Sequence, residues 1–117
     1  IKIYGDGDFI RDYIYIEDVV EALIQVSIIT SRKSIFNVAS GIGTSLKDVF
    51  SLVASEIEKA TGNKVHITNV EWPKGVSRIE KRNFVASIDL LMSETSWCPK
   101  VSLKRGIQLL IRDYIDE

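Results

Sequence analysis

The chain has 117 residues, the size of one domain able to bury about two thirds of the surface that its unfolded chain exposes. Hydrophobic residues make up 45% and charged residues 26%, and no apolar run approaches the roughly 20 residues of a membrane helix, so no membrane partner is expected. A formal net charge of -1 gives no overall field to attract nucleic acid or an anionic surface, and any anion binding has to come from a local cluster of cations.

Cys98 is the single cysteine and His66 the single histidine, which rules out an internal disulfide and a Cys/His zinc set; no metal site is expected, and a reducing cytoplasm is the expected location. Cys98 lies between Trp97 and Pro99 in what reads as a packed turn, and is expected to be a structural thiol; a catalytic Cys-His pair is the alternative. The first residue, Ile1, is already apolar and strand-like, and is read as a cut through something larger or as a processed end.

Residues 1–4 and 10–16 alternate apolar and polar side chains around the Gly5/Gly7 turn, which predicts two short strands or a strand and a hairpin arm. From Glu17 the period becomes helical. Val19, Val20, Leu23 and Val26 to Ile29 share a face, with Glu17, Asp18 and Glu21 at the positive end of the helix dipole and the helix ending near Thr30 to Lys33. The run 34–39 reads as a short strand. The turn Ser40-Gly41-Ile42-Gly43-Thr44 then delivers Ser45 as an N-cap, paired with Asp48 as in a capping box. Leu46, Val49, Phe50, Val53, Ile57 and Ala60 follow helical spacing, and Gly62 is the stop.

Residues 65–70 alternate again as a strand, and Trp72-Pro73-Lys74-Gly75 breaks regular structure and opens a basic loop up to Arg82. Residues 83–86 are a candidate short strand, and residues 88–95 a brief helix. Ser102 caps a last helix with Leu103, Ile107, Leu110 and Tyr114 as its stripe. Alternating strands and helices make the class α/β, a small module of short strands and three to four helices.

Arginine suits a diphosphate because its planar guanidinium stays ionised and donates two parallel hydrogen bonds to phosphate oxygens. Arg11 at the entrance of an apolar strand and Arg78 in the basic loop are therefore the candidate pair. The structural alternative is that Arg11 pairs with Asp12 or Asp18 and that Arg78 is a solvated loop charge.

Three stretches carry a family resemblance. They are Gly5-Asp6-Gly7 followed by Arg11-Asp12-Tyr13, an apolar strand and Asp18-Val19; Phe36-Asn37-Val38-Ala39-Ser40-Gly41 running through to Val49; and Arg78 through Ser102, with Trp97-Cys98-Pro99 and then Leu103 and Gly106-Ile107. In this order they resemble the extended short-chain dehydrogenase/reductases, the NAD-dependent nucleotide-sugar epimerase/dehydratase family (UDP-glucose 4-epimerase-like). The resemblance implies the C-terminal substrate-binding part of that fold, residues 1–117 as one domain without the Rossmann half. It also implies that Arg11 and Arg78 hold the phosphates of a nucleotide-diphosphate sugar, and that NAD serves the complete enzyme while this chain binds no cofactor. Ser87-Ile88-Asp89-Leu90 departs from the family's Asp-x-Ser-Lys, and Ser96 stands where it has Gly.

The proton-transfer tyrosine of such enzymes is acidified by a lysine four residues later. None of Tyr4, Tyr13, Tyr15 and Tyr114 has one, so no catalytic residue is assigned and the chain is expected to be inactive alone. Gly41-x-Gly43 lacks the third glycine of a dinucleotide turn, which falls at Leu46, and reads as a plain turn. Nucleic acid is a poor fit to Lys74, Arg78, Lys81 and Arg82 with Glu80 among them. The other class of reading is a non-enzymatic module that forms a homodimer or docks a protein through the apolar surfaces around Ile1 to Tyr4 and Ile24 to Ile29.

Overall fold

The computed structural model describes residues 1–33 and 35–116, with the side chains of Arg78 and Glu80 outside the description. In chain order the elements are β1 (Lys2–Tyr4), β2 (Ile10–Asp12), α1 (Ile16–Ile28), β3 (Gly43–Ser45), α2 (Leu46–Thr61), β4 (Thr68–Val70), a short 3-10 turn (Arg78–Lys81), α3 (Asp89–Glu94) and α4 (Leu103–Asp116). The class is α/β, as the alternating pattern implies.

β1 pairs with β4 in parallel, Lys2 opposite Thr68 and Tyr4 opposite Val70, while β2 pairs antiparallel with β3, Arg11 opposite Thr44. The Gly5/Gly7 turn therefore does not close a hairpin. Its carbonyls are taken by the start of α2 instead: Lys47 N donates to Gly7 O at 3.0 Å and Leu46 N to Phe9 O at 3.1 Å, which sends β1 and β2 into different sheets.

Ser45 caps α2 as its sequence predicts. Its Oγ accepts from Asp48 N at 3.2 Å and donates to the Asp48 carboxylate at 2.5 Å, and at the other end Gly62 N reaches Glu58 O at 2.9 Å with φ of 73°. Ser102 starts α4 in the same way, its Oγ accepting from Arg105 N at 3.3 Å. α1 stops at Ile28, short of the expected Thr30 to Lys33; its last turn holds no basic residue, and Ile29 is already extended.

The core is a cluster of Ala22, Ala39, Ile88, Leu91 and Trp97, with Ile14, Val26, Phe36, Val38 and Ala86 packed around it. Trp97 is locked in place because its Nε1 donates to the Asp18 carbonyl at 2.9 Å.

Several sequence expectations change. Strand structure over 10–16 shrinks to three residues because the chain turns into α1 at Ile16. Ser34 lies outside the described residues, and 35–39 is not in a ladder: Phe36 and Val38 do pack on the core, but among the described residues no backbone partner pairs with the segment. Residues 83–86 make single contacts to β2 without forming a strand. Cys98 is exposed and not a buried thiol, since Trp97 takes the inward position of that turn. Of the α1 face named from the sequence, Val26 packs on the core but Val20, Leu23 and Ile28 are exposed, and Asp18 and Ala22 are the buried residues of the helix. In α4, Ile107 is buried, but Leu110 and Tyr114 of its stripe are exposed.

The molecule is a slab, 49 × 39 × 20 Å, with a radius of gyration of 17.0 Å against about 13.4 Å for a compact chain of this length. Its accessible surface is 8339 Å², whereas a compact monomer of this mass exposes about 6,400 Å².

Candidate functional site

β2 is the element on which the candidate site is built. On one edge it holds β3, and this edge needs glycine at position 43, where a Cβ would come within 2.6 Å of Ile10 and 2.7 Å of Val85. On the other edge, Phe84 N donates to Ile10 O at 3.0 Å and Ile10 N donates to the Asn83 side-chain oxygen at 2.9 Å.

Arg11 projects from the middle of β2, half-buried, and its Nη1 donates to Ile10 O at 3.0 Å and to the carbonyl of Arg82. Arg82 in turn closes the 3-10 turn, its N donating to Ile79 O at 3.3 Å, while Ser77 Oγ accepts from Ile79 N at the turn's start. The guanidinium of Arg11 is thus fastened to the end of the segment that carries Arg78 at its first position. The Arg78 side chain lies outside the described residues; its backbone belongs to this turn.

Beside the turn stand three aromatic rings that the sequence reading did not group together. Trp72 stacks on Tyr4 at 5.5 Å with 27° between planes and meets Phe9 edge-on at 5.9 Å, and Lys81 Nζ lies 5.6 Å above the Trp72 ring. Gly5, at φ of 68°, makes the contact possible, because a Cβ there would sit 2.6 Å from the indole nitrogen. Arg82 lies 5.7 Å from the Phe84 ring. The end of the basic segment is therefore a short turn with Lys81 and Arg82 set over rings and their side chains exposed. The signal available in sequence was the spacing of Tyr4 and Phe9 around Gly5/Gly7, which becomes readable only once β4 delivers Trp72 alongside β1.

The two aspartates next to Arg11 in sequence serve the backbone. Asp12 accepts from Ser40 N at 2.8 Å, Ser40 Oγ at 2.5 Å, Gly41 N at 3.0 Å and Ala86 N at 3.3 Å, which ties the 40–44 turn and the 83–86 segment to the end of β2. Asp18 is 2% exposed and accepts from Lys100 N and Val101 N, each at 3.0 Å. Tyr13, two residues beyond Arg11, has its phenol pushed up by burial, with the Arg11 charge pulling the other way. It lines a cleft of about 490 Å³ with Ser40, Thr44, Lys100 and Lys104; a groove of about 310 Å³ lies between α2 and α4, and Arg11 lines neither. Among the described residues no group of three His, Cys, Asp or Glu side chains is placed to hold a metal ion. No described helix is long and apolar enough to cross a membrane.

Arg11 of β2 is thus locked to a basic turn within an α/β module. Comparison with known proteins gives the relatives. The model of the NAD dependent epimerase/dehydratase family matches residues 1–39. The chain is 27% identical to the UDP-glucose 4-epimerase of Mycolicibacterium smegmatis, over 91% of this chain and 31% of that protein. It is 30% identical to the dTDP-4-dehydro-6-deoxyglucose reductase of Escherichia coli, over 96% of this chain and 33% of that one. Its fold matches a crystal structure of the UDP-glucose 4-epimerase of Thermotoga maritima with UDP-glucose at a TM-score of 0.81 and 28% identity, over 99% of this chain and 35% of that chain. The chain is a relative of the NAD-dependent epimerase/dehydratases of the extended short-chain dehydrogenase/reductase type and spans about a third of the length of those it matches.

Proposed function

We propose that this chain is the C-terminal substrate-binding domain, residues 1–117, of an NAD-dependent nucleotide-sugar epimerase/dehydratase, and that it holds the diphosphate of the nucleotide sugar through Arg11 and Arg78. The observation that carries the reading is the hydrogen bond from the Arg11 guanidinium to Arg82, which joins β2 to the turn bearing Arg78 although 67 positions separate the two arginines. Two guanidiniums rooted in one rigid neighbourhood can share a doubly charged ligand with little loss of side-chain freedom. The Tyr4, Phe9 and Trp72 rings next to the same turn offer a surface on which a nucleobase stacks. The names of the relatives support the ligand class, since they act on UDP- and dTDP-linked sugars.

With no tyrosine followed by lysine four residues later, the chain positions the sugar while the proton-transfer pair and NAD are supplied by the rest of the enzyme, in the cytoplasm. Calorimetric titration with UDP and with dTDP tests the reading. Heat with at least one of them, lost in Arg11→Ala, is the expected result. Silence with both ligands overturns it and leaves a protein-interaction or homo-oligomerising module, which the exposed aliphatics of α1 favour.

A further inference from the structure

We propose that Asn83 is the positioning residue for Arg11: its side-chain oxygen takes the strand-edge amide of Ile10 and so leaves the carbonyl of Arg82 to the Arg11 guanidinium. Resting on the reading of Arg11 as a ligand of a diphosphate, this names the residue that sets the direction in which that guanidinium is presented.

The hydrogen bonds along β2 lead there. β3 occupies one edge of β2, and the segment 82–86 runs beside the other edge in the same direction as β2, with Phe84 N donating to Ile10 O at 3.0 Å and Ala86 N to the Asp12 carboxylate at 3.3 Å. In a parallel pair, a residue whose carbonyl accepts from a neighbouring amide donates its own amide to the carbonyl two positions before that neighbour. For Ile10 and Phe84 that carbonyl belongs to Arg82. Ile10 N instead donates to Asn83 Oδ1 at 2.9 Å, and the carbonyl of Arg82 accepts from Arg11 Nη1. A side chain has stepped into the ladder, and the backbone acceptor it displaced has passed to the guanidinium.

The exchange has a physical reason. A strand amide without an acceptor is costly, so Ile10 N claims the Arg82 carbonyl unless another oxygen stands closer. Asn83 supplies one on a short neutral side chain. The guanidinium then donates from Nη1 to two carbonyls, Ile10 O at 3.0 Å and Arg82 O, which belong to different segments and together fix its plane. The far end of the segment is anchored separately. There the Asp12 carboxylate holds Ala86 N, and Val85 lies so close over Gly43 that a Cβ at position 43 would come within 2.7 Å of it. Loss of Asn83 therefore frees the Arg82 end alone. Asn83 is itself exposed and belongs to no core cluster, so its substitution separates positioning from stability.

The test compares the native chain with Asn83→Ala and Asn83→Asp by side-chain NMR of labelled arginine, thermal melting and calorimetric titration with UDP. The Arg11 guanidinium signals, assigned by their absence in Arg11→Ala, are expected to be resolved and protected from water in the native chain. Asn83→Asp, which keeps the acceptor oxygen, should leave them so. Asn83→Ala should merge them with those of the solvated arginines, while the Ile10 amide stays protected by the Arg82 carbonyl it regains. The melting midpoint of Asn83→Ala is expected within about 3 °C of the native value, as at exposed positions. UDP should bind this variant about three- to tenfold more weakly, the scale of ordering one long side chain. Arg11 signals that stay resolved in Asn83→Ala overturn the proposal, as does their loss in Asn83→Asp. The spectra do not depend on the ligand. Release of Arg11 in Asn83→Ala, with no UDP heat from the native chain, removes the diphosphate reading alone, and equal UDP affinity in the native chain and Asn83→Ala removes the positioning role alone.

Discussion

The inner and outer faces of α1 invert what hydrophobicity leads one to expect of a surface helix. The inner face buries a carboxylate, Asp18, together with Ala22, whereas the outer face leaves five aliphatic side chains exposed. Asp18 can be inside because each of its oxygens accepts a backbone amide of the 99–102 turn and its carbonyl receives the Trp97 indole, so no polar group there is left without a partner. Residues are buried where a partner of matching chemistry is present. On the inner side that partner is the Trp97 turn, and on the outer side the described residues offer none.

The largest effect in this comparison should come from Trp97. Trp97→Ala empties the centre of the core cluster and removes the indole donor from the Asp18 carbonyl, and a loss of about 3–5 kcal/mol in urea unfolding is expected. A loss below about 1 kcal/mol would mean that α1 is held by something other than its inner face. Asp18→Ala comes next, at about 2–3 kcal/mol, because two backbone amides lose an ionised acceptor inside the protein. Asp18→Asn, which keeps one acceptor oxygen, should lose visibly less. Equal losses in the two variants would show that charge rather than hydrogen bonding seats the residue.

Glu56 is the second buried carboxylate and sharpens the contrast, since side chains and not amides satisfy it. Lys59 Nζ donates to one oxygen at 2.7 Å and Gln108 Nε2 to the other at 2.9 Å, and these bonds hold its carboxyl below the usual glutamate range. A depressed folded value stabilises the protein fully above the ordinary glutamate value of about 4.3, and the contribution disappears as pH falls through the folded value. The α2/α4 contact should accordingly weaken in acid. Unfolding midpoints from pH 7 down to pH 3 should fall more steeply for the native chain than for Glu56→Gln, and parallel curves would remove Glu56 from the account of acid sensitivity.

How much of this was legible in the sequence depended on the range of the interaction. The N-caps at Ser45 and Ser102 and the stop at Gly62 are local, so spacing alone disclosed them. Asp12 and Asp18 were visible as candidate partners of Arg11, but their roles are set by amides between 28 and 83 positions away, which no periodicity encodes. The same holds for Trp72, brought over Tyr4 only by the parallel pairing of β1 with β4. The run 34–39 carries strand composition, yet its described residues 35–39 form no strand, because composition reports what a segment can pair with and the ladder needs a neighbour. On the candidate site, sequence supplied Arg11 and Arg78 through family motifs, and the structure adds the route by which β2 reaches the turn: the carbonyl of Arg82.

The smallest effect concerns that route and is read by titration. Tyr13 follows the anchored end of β2, two residues beyond Arg11, and burial raises its phenol while the Arg11 charge opposes the rise. Removing the guanidinium should therefore move the Tyr13 titration further up, because the phenolate loses the stabilising Arg11 charge while the burial stays. Ultraviolet difference titration of the native chain and Arg11→Ala, with Tyr13→Phe as the blank that assigns the signal, reads this directly. An unmoved Tyr13 curve would place the Arg11 charge too far from β2's end to act on anything bound there. An upward shift would place the Arg11 charge within reach of the Tyr13 phenol beyond the end of β2.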